Sequence, residues 1–307
     1  MKKQLKYILF LPIVLLAVIF SCSKKEPNAP KSDTIIEGKT SVLVDETLLP
    51  IIEDQLAVFE NTYNSTITLL PQSEKEGILS LTQGKSDIII LSRKLSKAEE
   101  SIFKQKKIVP RSTPFAIDAV AFIRNAKEND TLIDIKDVID FIKGNKGNNK
   151  NYRGLVFDNP NSSTVRYLCE LAGVEELPQE GVFSFRTNED VIKYVAENDG
   201  MIGIVGINWL YQPRPEHQKQ VDFVNILSVK GANSNEYVYP SQHNVATRKY
   251  PLARVLYIVN CQGYEGLGMG FGSFITGEKG QRIILKSGLA PVREPSRNIK
   301  IRNKIEK

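Results

Sequence analysis

The hydroxyl run Ser162-Ser163-Thr164, preceded by the turn Asp158-Asn159-Pro160-Asn161, is the stretch whose residue types and spacing could do chemistry. Serine and threonine in the first turn of a helix stand beside backbone N–H groups that lack internal partners, at the positive end of the helix dipole. Together such groups can hold an oxyanion. The same residue types are also favoured as plain N-caps. The flanks fit both roles: Leu155, Val156 and Phe157 form an apolar run of strand type, and Val165, Leu168, Cys169 and Ala172 recur at helical spacing. A strand, a tight turn and a helix start are expected over residues 155–168.

The elements around this loop alternate. A short strand at 41–44, a helix spaced by Leu48, Ile51, Ile52, Leu56 and Phe59, a β-rich stretch at 66–70 and a helix around 78–81 lead to Asp87-Ile88-Ile89-Ile90-Leu91. An unbroken apolar run of that kind marks a strand covered on both faces. This βαβαβ order predicts a mainly parallel sheet with helices on both sides and ligands at the carboxyl ends of its strands. Those ends are Asp45-Glu46-Thr47, residues 71–77 with Ser73, Glu74 and Glu76, and Ser92-Arg93. Further on, a long strand-like run at 115–123, helices at 135–142 and 188–197, a buried strand at 201–205, a return strand at 255–259 and helices near 271–275 and 280–286 are expected.

The N-terminus reads as an export signal. Lys2, Lys3 and Lys6 precede an apolar stretch at 7–20, too short for a comfortable membrane span, and Ser21-Cys22 follows. Residues 19–22 are similar to a bacterial lipobox, in which the cysteine becomes the lipidated first residue. Residues 23–37, rich in Lys, Pro and Ser, read as a flexible tether. Removing three lysines from a chain of formal charge +6 leaves +3, with no basic helix to suggest nucleic acid. With 41% hydrophobic and 25% charged residues the rest is an ordinary globular composition. Cys169 and Cys261 lie among apolar residues and are expected as buried free thiols, and with only His217 and His243 besides them no metal site or cofactor is expected. Gly84-Lys85-Ser86 lacks the earlier glycine of a Walker loop, Leu79 standing in its place, and no Gly-x-Ser-x-Gly elbow occurs, so an enzyme is not expected.

Five segments in order resemble the bacterial periplasmic solute-binding proteins, most of all the phosphate-binding branch that serves ABC importers. They are DIIILSRKL at 87–95, Asn161-Ser162-Ser163-Thr164 in place of Gly-Ser-Gly-Thr, GMIGIVGINWL at 200–210, Tyr250-Pro251-Leu252-Ala253-Arg254, and FGSFITGEKGQRIILKSGLAPV at 271–292. The resemblance runs over residues 40–292. It implies an α/β, two-lobed periplasmic-binding-protein fold of type II, with two crossover strands and a ligand cleft between the lobes. The implied layout is a signal at 1–21, a tether at 22–38, lobe I at 39–116 and 250–307, and lobe II at 117–249. It also implies a monomer anchored by lipid at Cys22 and facing the periplasm, which hands phosphate or a similar oxyanion to an inner-membrane permease. The implied ligand positions are Thr47, Ser73, Glu74, Ser92, Ser162, Ser163 and Thr164; Asp45, Glu46, Arg93, Asp158 and Asn161 are candidates beside them.

The sequence departs from that family where it matters. Glu74 and Glu76 replace Ser and Gly, Asp158 replaces an Arg, and Ser92 replaces an Asp, so carboxylates crowd the expected cleft mouth. Like charges in a partly dry site repel phosphate by several kcal/mol. Either the carboxylates accept hydrogen bonds from a protonated oxyanion or pair with Lys75, Arg93 and Arg166, or the ligand is zwitterionic or cationic. The alternative role is an envelope signalling or interaction receptor that keeps the fold without transport.

Overall fold

Strand β1 (Gly38–Asp45) carries Val42, Leu43 and Val44 into the core and ends on Asp45, which is also buried. Aliphatic and β-branched side chains suit a pleated surface packed on both faces. The computed structural model describes residues 33–145 and 152–296. The export signal, Cys22, the tether up to residue 32 and most of the loop at 144–150 lie outside the described residues.

A 3-10 turn (Glu46–Leu48) leads to α1 (Leu49–Thr62), and β2 (Ser65–Gln72), α2 (Glu74–Thr82) and β3 (Ile88–Leu91) complete the expected βαβαβ unit. β1 pairs in parallel with both β2 and β3. After α3 (Lys97–Gln105), whose start is fixed by a capping box between Ser96 and Glu99, comes the long strand β4 (Arg111–Asn125). The next half repeats the pattern with β5 (Leu132–Asp134), α4 (Ile135–Ile142), β6 (Gly154–Phe157), α5 (Ser163–Ala172), β7 (Val182–Ser184), α6 (Asn188–Glu197) and β8 (Met201–Gly206). β6 is parallel to both β7 and β8. Short pieces follow: α7 (Asn208–Tyr211), α8 (Gln218–Val221), β9 (Val224–Ile226), β10 (Ser228–Lys230), β11 (Tyr237–Val238) and α9 (Gln242–Ala246). The return strand β12 (Ala253–Asn260), helices α10 (Leu267–Thr276) and α11 (Glu278–Lys286), and β13 (Ala290–Pro291) close the fold.

One sheet runs through both halves in the order β2-β1-β3-β12-β4-β8-β6-β7, with β9 and β13 also on β4. β4 joins the halves: residues 111–119 run antiparallel to β12, and residues 120–123 run antiparallel to β8. Pro114, which has no N–H for the ladder, sits where the register with β12 shifts between Leu256 and Tyr257. Beside β4 the chain returns at 250–253, where Val120 N donates to Leu252 O at 3.1 Å and Tyr250 Oη donates to Val120 O at 2.9 Å. Two crossings side by side make the two-lobed architecture that the sequence led us to expect. β3 and β8 are buried along their whole length, as their unbroken apolar runs require. Cys169 and Cys261 are buried free thiols. Among the described residues no helix is long and apolar enough to cross a membrane.

Candidate ligand site

The loop after β6 closes on its own carboxylate. Asn159 opens the turn, its Oδ1 accepting from Asn161 N at 2.9 Å and its carbonyl from Ser162 N at 2.8 Å. Ser162 then caps α5, accepting from Val165 N at 3.3 Å. Its hydroxyl also donates to Asp158 Oδ1 at 2.5 Å, and Thr164 Oγ1 donates to the same oxygen at 2.5 Å. The other oxygen of Asp158 accepts from Thr47 Oγ1 at 3.1 Å and Asn188 Nδ2 at 3.2 Å. Asp158 is fully buried at the centre of these neutral donors.

Each donor is held from behind. Thr187 caps α6 by accepting from Asp190 N, which leaves Asn188 free to use its amide in the site. Asn188 Oδ1 accepts from Gly206 N at 3.0 Å, and its Nδ2 also donates to Glu46 Oε2 at 2.8 Å. Thr47 N donates to Asp45 Oδ1 at 3.3 Å, and Thr47 O accepts from Trp209 Nε1 at 2.9 Å. Thr47 packs so close to β8 that a Cβ at Gly206 would lie 2.9 Å from Thr47 Cγ2, so only glycine fits there. Ser163 points elsewhere, accepting from Arg254 Nη1 at 3.0 Å. Arg254 is bonded through Nε and Nη2 to Asp118 Oδ2, at 3.2 and 2.9 Å, and the two residues are direct partners across β4 and β12.

A second cluster borders the first. Glu74, 3% exposed, accepts from Arg93 Nε at 2.8 Å and Arg166 Nε at 2.6 Å. Arg166 Nη2 also reaches Ser92 Oγ at 3.2 Å, and Arg93 pairs with Glu99. Lys75 N donates to Asn161 O at 3.2 Å, tying the start of α2 to the loop after β6.

Burial dominates the electrostatics. It pushes Asp45 up to about 7, helped by Glu74, and Glu46 up to about 8, helped by Asp158. Asp158 is raised by burial against the pull of its hydroxyl donors, and Asp118 is raised by burial against Arg254. Beside these groups lie two cavities. One of about 580 Å³ is lined by Asp45, Glu46, Gln72, Ser73, Ser162 and Trp209 among others, and one of about 830 Å³ by Glu74, Arg93, Arg166, Val165 and Cys169 among others. Among the described residues no group of three or more His, Cys, Asp or Glu side chains could hold a metal ion.

The structure thus brings Thr47, Asp158, Ser162 and Thr164 into direct contact, with Glu46 joined through Asn188, while Ser163 is bonded to Arg254 instead. Ser92, Glu74 and Arg93 form the bordering cluster. Ser73 turns to Glu76 at 2.8 Å, and Asn161 is exposed and contributes its backbone. Asp45, Glu74 and Asp158 are buried and do not sit at the mouth of the cleft, a correction to their expected place, while Glu74 pairs with Arg93 and Arg166, one of the arrangements expected of it. The hydroxyls of Ser162 and Thr164 are turned onto Asp158. Asn188, Arg254, Asp118 and Trp209 were not foreseen as site residues, although Asp118 and Arg254, opposite charges inside two apolar strand runs, carried a signal.

A family model described as a PBP superfamily domain matches residues 26–279, most of the chain. The chain belongs to the PBP superfamily. No curated protein matches it. Among solved structures, a phosphate ABC transporter substrate-binding protein from Clostridium perfringens with bound phosphate is 20% identical, covering 83% of this chain and 100% of its own, with a TM-score of 0.69. An ABC-type phosphate transport receptor from Vibrio cholerae is 17% identical, covering 83% and 100%, with a TM-score of 0.62. The regulatory domain of CcmR from Synechocystis, in complex with 2-PG, is 15% identical, covering 76% and 92%, with a TM-score of 0.51. At such identities the likeness is one of fold.

Proposed function

We propose that this chain is the solute-binding component of an ABC importer and that its ligand is an oxyanion, phosphate or a close relative. The observation that carries the reading is the cradle itself: three hydroxyls and an amide, from three separate segments, converge on one buried carboxylate. Such a set of neutral donors suits any small oxyanion, and Asp158 is the occupant it holds when closed. The lobes, at 39–116 with 250–307 and at 117–249, would part to admit the solute and close around it. The protein would act as a monomer without catalysis, on the periplasmic face of the membrane, lipidated at Cys22 and docking on an inner-membrane permease. The phosphate-binding relatives of the same fold support this.

Asp158→Ala tests it. Vacating the cradle should tighten inorganic phosphate about tenfold to hundredfold by calorimetry, the value of one or more hydrogen bonds to a charged group. Unchanged or weaker binding would count against an oxyanion in this cradle. The anchor is tested separately: Cys22→Ser should move the protein from membranes into the soluble fraction.

A second reading, an envelope signalling or interaction receptor, is favoured by the satisfaction of the cradle's donors from within. In that case wild type and Asp158→Ala would both ignore phosphate.

A further inference from the structure

β1 and β2 end side by side, with Asp45 and Gln72 as direct partners in the parallel register. Both line the cavity of about 580 Å³ at the carboxyl ends of these strands, the edge of an α/β sheet where ligands bind. Asp45 is 1% exposed; its Oδ1 is bonded to Thr47 N, but its Oδ2 is buried without a hydrogen-bond partner. Gln72 Oε1 is buried and unpartnered as well. The neighbouring Ser163 hydroxyl favours the ionised form of Asp45, yet it does not reach bonding geometry with Oδ2 and is engaged by Arg254.

Two buried acceptors on one cavity wall are short of donors. The nearest carboxylates have the same bias, since Asp45 faces Glu46 and Asp158 against Arg254, while Glu74 is paired with Arg93 and Arg166. Lys85 and Arg186 also line the cavity but are exposed, which places them at its mouth, while Arg214 is paired with Glu53 and Glu189.

We propose that this cavity binds a protonated amine, whose ammonium donates to Asp45 Oδ2 and Gln72 Oε1, and that the ligand is therefore an amine-bearing oxyanion. An ammonium offers three donors, enough for both acceptors and one more. A water could serve the two acceptors but, unlike an ammonium, would bring no positive charge to Asp45. Ser162 lines the same cavity and belongs to the cradle around Asp158, so one small molecule can reach both. The oxyanion half rests on the function proposed above; the amine half does not.

Calorimetry on the full chain in detergent, with O-phosphoethanolamine, ethyl phosphate, inorganic phosphate and ethanolamine, separates the two. O-phosphoethanolamine should bind about tenfold to hundredfold more tightly than ethyl phosphate. Asp45→Asn, which keeps its Oδ1 for Thr47, and Gln72→Leu, which leaves Asp45 untouched, should each cut that advantage, read as the ratio of the two ester affinities within each variant. Either variant suffices if the other fails to fold. Equal affinity for the two esters in the wild type overturns the amine site, as does an amine preference that survives both substitutions. If inorganic and ethyl phosphate bind and the amine adds nothing, the amine site falls and the oxyanion reading stands. If ethanolamine binds, Asp45→Asn abolishes it and no phosphate compound binds, the amine site stands and the oxyanion reading falls.

Discussion

Two carboxylates in this cleft are buried to a similar degree and neutralised in different ways. Glu74 lies between the guanidinium groups of Arg93 and Arg166, from the turn after β3 and from α5. Asp158 receives hydroxyls and an amide, with Arg254 acting on it only through space. A carboxylate gripped by two cations makes charge-assisted bonds to both, which turn it into a strut between segments. One held by neutral donors can take up a proton, or give way to another anion that accepts the same bonds. The first arrangement serves position and the second serves exchange.

Breaking the strut should have the largest effect. Glu74→Gln leaves two guanidinium groups facing each other around a neutral amide, and losing one partner of a buried ion pair costs about 3–5 kcal/mol. Urea denaturation should show a loss of that order. A loss below about 1 kcal/mol would put the cluster in the class of exposed pairs and remove the contrast with Asp158.

On the exchange side the effect is read in pH. Asp45 rises from 3.8 to about 7 and Glu46 from 4.5 to about 8 on folding. The folded state therefore binds more protons than the unfolded chain between about pH 4 and pH 8, so stability falls as pH rises through that window. The fall should be seen as a higher melting temperature at pH 5 than at pH 8. A flat or rising profile would mean that these carboxylates stay ionised in the fold.

Much of the frame was legible because burial writes itself into composition. The apolar runs at 88–91 and 201–205 are strands covered on both faces, and helices α4 and α6 fall where their spacing placed them. β5, β7, β9, β10 and β11 are two or three residues long, too short for any period to register. β4 runs four residues earlier than its apolar core suggests, because Arg111 to Pro114 pair with β12 while staying largely exposed. In the site, loop chemistry marked Ser162 and Thr164, but the direction of their hydroxyls depends on Asp158, four residues from one and six from the other across a turn. Asn188 was hidden because a polar residue at a helix start looks like a cap, and Thr187 already fills that role.

Thr47→Val gives the smallest effect and the sharpest view of Asp158. Valine nearly matches threonine in shape and removes only the hydroxyl that donates to Asp158 Oδ2 at 3.1 Å. The backbone bonds of Thr47 to Asp45 and Trp209 stay in place. A hydrogen bond to a neutral acceptor is worth about 0.5–1.5 kcal/mol, and one to a charged acceptor about 1.5–3 kcal/mol. Burial raises Asp158, so its carboxyl carries a larger share of proton at low pH. The cost of Thr47→Val should thus be about 1 kcal/mol at pH 5 and larger at pH 8, measured by denaturation at both. An equal cost at the two values would mean that Asp158 keeps one charge throughout, and the cradle would then be a fixed anchor like Glu74 and not an exchangeable seat.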